Sequence, residues 1–280
     1  MCNLNTVCEL NTNGLMSPVK LAFIGPLLMK LSPHIFALSG TKTQTNAAAN
    51  LLIHNYEIFE KKAVPCAAPL LLAKWEIILG VHKDLQIVAH VPLNHKSLIG
   101  RVVCVDVIIP SLSPLSSPFI HHIFSAHAPC GPSADDLSRN FWPCLMDMVQ
   151  ESKTSWSLFG NLNATVAAFE HASDKVLAQC LYNESLRNTH GIDLWQQCPD
   201  HNHFIHWTCQ ALRSTDGGSI IDHVVVSGQH LLDSKISTDP AWIPGSDHRT
   251  VKAKVILKST PGLSGISLIP LIPSRPLPPP

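Results

Sequence analysis

The chain has 280 residues, 45% of them hydrophobic and 14% charged, with 20 basic side chains balanced by 20 acidic ones. That size and apolar content suit one α/β domain with a substantial core and exclude a chain that is disordered throughout. A formal net charge of zero excludes the broad basic footprint of a non-specific nucleic-acid binder, but not a local groove that touches DNA.

Met1 to Asn13 is polar and predicts no secretion signal. Within it, Val7 to Leu10 reads as a first strand that ends at Asn11-Thr12-Asn13-Gly14. Ser17-Pro18 is an N-cap followed by a first-turn proline, and the helix it opens runs to about Leu31. Gly25-Pro26 falls in the middle of that helix. An interior proline removes a backbone hydrogen bond and costs on the order of 3 kcal/mol, which predicts a kink or a split. Ile35 to Leu38 is a short strand, and Trp75 to Val81 with Ile87 to Val91 reads as a strand pair around a Lys83-Asp84 turn. The β-branched run Arg101 to Ile109 suits a central strand buried on both faces.

Ile120 to Ala126 is a further strand, closed by Ala128-Pro129. Ser155 to Phe159 leads into Gly160-Asn161-Leu162-Asn163. Ser173-Asp174 caps a helix to about Asn188 that Gly191 ends. Ile220 to Val226 and Val251 to Leu257 are the last strands. Trp142, Trp156 and Trp195 have apolar neighbours and read as packing residues. His201, His203 and His206 lack helical ligand spacing and read as loop histidines. Many strands, few helices and polar clusters at strand ends describe a layered α/β domain over residues 1–258. Residues 259–280 are rich in Pro and Ser and predict a disordered or polyproline-like tail. The 9 cysteines are never spaced as CxxC and predict reduced thiols inside a cell, in nucleus or cytoplasm. No apolar run is long enough to span a membrane.

Taken singly, the polar clusters are ordinary turns; their order along the chain says more. Asn11-Thr12-Asn13-Gly14, Leu38-Ser39-Gly40-Thr41-Lys42, His127-Ala128-Pro129, Gly160-Asn161-Leu162-Asn163-Ala164, Ser219-Ile220-Ile221-Asp222-His223 and Ser246-Asp247-His248 follow one another, with Trp207-Thr208 ahead of Ser219. In this order they resemble the endonuclease/exonuclease/phosphatase superfamily, and within it the endonuclease domain of non-LTR retrotransposons. The resemblance implies a four-layer α/β/β/α sandwich of the deoxyribonuclease I type. It also implies DNA as the partner and Mg²⁺ or Mn²⁺ as the cofactor.

In such a site a divalent ion on hard oxygen ligands neutralises a phosphodiester, and a carboxylate activates water. A histidine held by an aspartate donates to the phosphate oxygens as charge builds. Carried over by motif, His248 is the phosphate-facing histidine and Asp222 its orienting partner. Asp247 and Asn11 lie on the metal side, and Asn163 positions nucleophile or phosphate. Asn13, Thr208 and Ser246 line the substrate. Three positions depart from the pattern. Gly40 stands where the family has its metal-binding glutamate, and Asn161 where it has the aspartate that activates water. His127 stands in place of a tyrosine. Asn keeps the shape of Asp but accepts no proton at neutral pH. These departures imply a degenerate copy with impaired cleavage. Glu9, two residues before Asn11 on one strand face, is the nearest substitute carboxylate. Two alternatives remain open at this level: a superfamily phosphatase for small or lipid-linked phosphates, and a non-catalytic binding protein that keeps the fold.

Overall fold

The computed structural model describes residues 2–15, 17–42, 51, 53–61, 77–93, 95–110, 118–130, 134–152, 154–164, 176–198, 207–210 and 218–258. The Pro-rich tail, Trp75, the Ser173-Asp174 cap and the His201–His206 cluster of the sequence analysis lie outside them.

The elements in chain order are β1 (Cys2–Asn11), α1 (Pro18–Leu31), β2 (Ile35–Ser39), β3 (Tyr56–Lys61), β4 (Ile77–His82), β5 (Gln86–Val91), β6 (Val102–Ile109) and β7 (Phe119–His127). They continue with α2 (Ala134–Glu151), β8 (Ser155–Asn161), α3 (Val176–Thr189), β9 (Gly191–Asp193), a 3₁₀ turn (Leu194–Gln197), β10 (Asp222–Ser227), β11 (Leu231–Trp242) and β12 (Arg249–Leu257). The strands form two 6-stranded sheets, ordered β11-β12-β1-β2-β4-β3 and β5-β6-β7-β8-β10-β9. An apolar core that includes Val7, Ala37, Leu79, Val105, Phe159 and Val224 fills the space between them. Ile24 and Leu28 of α1 pack on the outer face of the first sheet, against Leu10, Phe36 and Leu38. Phe141, Trp142 and Leu145 of α2 and Tyr182 of α3 pack on the outer face of the second, against Phe124 and Leu158. The result is the four-layer α/β/β/α sandwich.

One topological feature places the functional rim. Each sheet contains one parallel pair joined through a helix: β1–α1–β2 and β7–α2–β8. Parallel strands end at the same edge, so Asn11 lies beside Ser39 and His127 beside Asn161. The antiparallel neighbours β10 and β12 begin at that edge: Asp222 pairs with Asn161, and Glu9 with Val251.

The structure departs from the sequence reading at three places. First, β4 and β5 do not pair. They flank the Lys83-Asp84 turn but belong to different sheets, with β4 between β2 and β3 and β5 at an edge beside β6. Buried Leu85 enters the core between the sheets and anchors the crossing. Second, α1 runs unbroken through Pro26. Pro26 and Ala22, whose carbonyl loses its partner, both sit on the exposed face, where water replaces the bond. Third, α2 was not anticipated, because Pro143 interrupts its pattern; Pro143 and Arg139 are likewise exposed. Trp142, Trp156 and Trp195 are buried packing residues.

Candidate active site

The rim collects every residue that the motifs singled out. The connection from Asn11 to Asn163 can be followed atom by atom. Asn11 O accepts from Ser246 Oγ at 2.9 Å, and Asn11 Oδ1 accepts from Asn13 N at 3.1 Å. Asn13 Nδ2 donates to Asp247 Oδ1 at 3.3 Å, and Asp247 Oδ1 lies 3.7 Å from His248 Nε2. His248 Nδ1 meets Asp222 Oδ2 at 2.6 Å. Thr208 Oγ1 accepts from the backbone N–H groups of Ile221 and Asp222, at 3.0 and 3.1 Å. Asp222 pairs with Asn161, whose Oδ1 accepts from Asn163 N at 3.1 Å.

The Asp222–His248 pair is the electrostatic centre. Asp222 is fully buried, and Trp195 Nε1 donates to its backbone oxygen at 3.0 Å. Burial by itself lowers the pKa of His248. The Asp222 carboxylate and its hydrogen bond outweigh burial and push it up to about 11. His248 is therefore an imidazolium at neutral pH, with Nδ1–H on Asp222 and Nε2–H toward the rim.

The opposite half of the rim is poor in anionic ligands. Gly40 has φ +62°, a left-handed conformation that favours glycine, and a Cβ there would meet Asn11 Oδ1 at 2.7 Å. Glu9 is fully buried; its Oε1 accepts from Ser39 Oγ at 2.7 Å. Burial raises its carboxyl well above the usual range, and Asp222 adds to that rise; the Ser39 hydrogen bond and the charge of His248 offset it in part. Glu9 thus lies beneath the rim, biased toward its neutral form by burial, and not on it. Two lysines lie on this side of the pocket. Lys20 Nζ donates to Thr12 O at 2.6 Å and Asn13 O at 2.9 Å, and Lys42 Nζ donates to Asn13 Oδ1 at 2.5 Å. Burial lowers the pKa of Lys20, and the nearby Lys42 charge lowers it further.

These residues do not fit Mg²⁺. That ion asks for octahedral hard oxygen, typically with one or two carboxylates. Near Asn11, among the described residues, Asp247 is the one rim carboxylate, and Asn13, which donates to it, also holds both lysine ammonium groups.

Around the phosphate side, Asn163 Nδ2 donates to Ala128 O at 2.9 Å, with the Asn163 backbone at φ +49°. Gly160, at φ +142°, lies so close to β7 that a Cβ would meet Ala126 O at 1.8 Å. His127 is buried, and its Nδ1 has no partner among the described residues. Burial, helped by the Arg101 charge, lowers its pKa to about 3, so it stays neutral. Arg101 Nη1 donates to His127 O at 3.2 Å.

Sequence reasoning assigned no role at the site to Lys20, Lys42, Arg101 or Cys209. Lys42 closes the Leu38–Lys42 motif and Cys209 follows Trp207-Thr208, a weak signal. Lys20 and Arg101 lie in a helix and a strand approach, with nothing local to mark them.

The two-sheet sandwich with its polar rim is the deoxyribonuclease I-like fold, the class to which the solved structures most similar in shape belong. The catalytic domain of APE2 from Xenopus laevis superposes with a TM-score of 0.70 at 15% identity, covering 92% of this chain and 94% of that one. An AP endonuclease from Archaeoglobus fulgidus gives 0.67 at 13% identity, with 91% and 100% covered. A truncated TDP2 from Caenorhabditis elegans gives 0.61 at 15% identity, with 90% and 97% covered. At these identities the likeness shows the fold. No protein-family model matches the sequence, and no curated protein sequence matches it.

Proposed function

We propose that this chain is a retrotransposon-type endonuclease domain, built to act on DNA phosphodiesters, whose cleavage is impaired. The observation that carries the reading is the buried Asp222–His248 pair, 2.6 Å apart, at a rim shared with Asn11, Asn13, Asn161, Asn163 and Asp247. The fold neighbours named AP endonucleases support a nuclease ancestry. An intracellular site of action, in nucleus or cytoplasm, belongs to the same proposal; among the described residues no helix is long and apolar enough to cross a membrane.

In this reading His248 Nε2–H donates to a non-bridging phosphate oxygen, and Asp222 keeps the ring charged and oriented. Thr208 holds the Asp222 backbone in place, and Asn163 braces the loop beside the phosphate. Among the described residues at the motif positions, none is suited to remove a proton from the attacking water. Asn161 is an amide, its oxygen occupied by Asn163 N, and His127 is buried away from the task. General-base assistance is worth about 10²–10⁴-fold in rate. Gly40 removes the ligand that would hold a cofactor against the leaving oxygen.

The test is nicking of supercoiled plasmid with Mg²⁺ or Mn²⁺, for the wild type and His248→Ala. Near-background nicking by both is expected. Robust wild-type nicking that disappears in His248→Ala would overturn the impairment, and failure of the protein to bind DNA in a gel-shift assay would sink the endonuclease ancestry as a guide to function.

A further inference from the structure

The residues that do not suit Mg²⁺ include a group with different chemistry. Cys209 sits directly opposite His248 in a short antiparallel bridge. The flanking backbone bonds are Gln210 N to Asp247 O at 2.9 Å and Arg249 N to Thr208 O at 2.8 Å. That pattern makes 209 and 248 a non-hydrogen-bonded pair, the arrangement in which two side chains stand closest on one face of a ladder. Cys209 Sγ lies 4.0 Å from Asp247 Oδ2, and His248 Nε2 lies 3.7 Å from Asp247 Oδ1. The three potential ligand atoms all fall within 4.8 Å of one another.

We propose that Cys209, Asp247 and His248 form a Zn²⁺ site, with the fourth position open to the rim. A tetrahedral zinc with one S, one N and one O ligand sets its ligand atoms roughly 3.3–3.6 Å apart. Cys209 approaches one Asp247 oxygen and His248 the other, so the carboxylate bridges the pair, and closing the site asks the three ligand atoms to draw in from separations of up to 4.8 Å. Sulfur and imidazole ligands select a borderline ion such as Zn²⁺ over Mg²⁺.

The outer shell is also in place. A zinc-bound histidine characteristically gives its other ring N–H to a carboxylate, which fixes the tautomer and aims the free nitrogen. Asp222 does this at His248 Nδ1, 2.6 Å away. The charges balance as well. A thiolate, Asp247 and Asp222 around a dication leave one negative charge, and Lys42, linked to Asp247 through Asn13, lies ready to offset it. Coordination displaces the protons on Cys209 Sγ and His248 Nε2, so affinity rises with pH. This inference stands on the geometry of the three side chains; with zinc bound, His248 Nε2 carries no proton, so the loaded form does not make the phosphate contact proposed above.

The test uses the full chain, reduced and freed of metal with a chelator. Zn²⁺ is titrated in competition with a chromogenic chelator, and Co²⁺ is added separately for its spectrum. The expected result is one tight equivalent of Zn²⁺, together with a Co²⁺ complex that shows a near-ultraviolet sulfur-to-metal charge-transfer band and tetrahedral visible bands. Cys209→Ser should abolish the charge-transfer band and weaken Zn²⁺ binding by at least about tenfold, since loss of even an outer-shell partner costs about 10–100-fold. Cys180→Ser, at an exposed thiol elsewhere, should leave both signals unchanged. Because Cys209 is only partly buried, its serine variant should keep the wild-type circular dichroism. A wild-type Co²⁺ spectrum without a sulfur band, or equal Zn²⁺ affinity in Cys209→Ser, overturns the proposal.

Discussion

The two halves of the rim differ in how their charges are held. On one half, Asp222 and His248 form a buried pair whose atoms touch at 2.6 Å and whose backbone is braced by Thr208 and Trp195. On the other, Gly40, Asn11 and Asn13 supply no charge, and Lys42 leans in from the surface. Where a rim side is made of Gly and Asn, no like charges repel one another across it. A buried ion pair is held differently. Removing one member leaves an uncompensated charge in a dry site. The half that keeps its acidic and basic residues is thus the half in which they also hold the structure together.

This contrast can be broken most forcefully at Asp222. Asp222→Ala strands the His248 charge and should cost about 3–5 kcal/mol in urea unfolding. A loss under 1 kcal/mol would mean that the pair carries no structural weight. Next in size is Gly160→Ala. Its Cβ would reach to 1.8 Å from Ala126 O, against backbone that cannot yield. A loss of about 1–3 kcal/mol or more is expected from overpacking, read as a fall in thermal midpoint.

The pH dependence of stability separates the buried histidines by sign. His248 has a folded pKa of about 11, above its unfolded value. Its contribution is complete below about pH 6.5 and drains away as pH rises through 11. His127, and His121 buried between the Ser155 and Ser157 hydroxyls at the other end of β7, have folded values of about 3, below their unfolded ones. Their neutral burial favours the fold above about pH 6.5 and loses ground as pH falls toward 3. Denaturant melts across this range should show the alkaline limb shrinking in a His248→Gln background and the acid limb shrinking in His121→Gln. An unchanged alkaline limb in the first variant would contradict the charged assignment of His248.

On the depleted half the effects are smaller. Gly40→Glu restores the side chain but must adopt φ +62° and displace the Asn11 amide, for about 1–3 kcal/mol. Nicking should stay at background in Gly40→Glu alone and rise only when Asn161→Asp is added; a full rescue by the first change would show that Asn161 is no obstacle. Lys42→Ala, at an exposed position, should change stability by no more than about 0.5 kcal/mol.

The motifs could be read in order because each lies at a strand end, where a few adjacent residues set both the turn and the polar side chains it presents. Gly40 and Asn161 were placed at the same rim by that order, because the turn and its residue type are both local. Lys20 and Arg101 were not legible, because their approach to the site depends on α1 lying over Thr12 and on Arg101 reaching the His127 carbonyl. The Cys209, Asp247 and His248 cluster was half legible. Asp247-His248 stood in a motif, but Cys209 joins them through a bridge between segments 38 residues apart.

What the sequence determined by itself is the set of local conformations. Alternating and β-branched runs placed eight of the strands, and Ser17-Pro18 opened α1, since hydrogen bonding and side-chain periodicity act between near neighbours. What only the tertiary structure decided is which of those pieces meet. It sent β4 and β5 to opposite sheets, let α1 and α2 carry prolines on their wet faces, and buried Glu9 beneath the rim. These outcomes rest on long-range packing and on the loss of water around a side chain, and neither is written in the residues beside it.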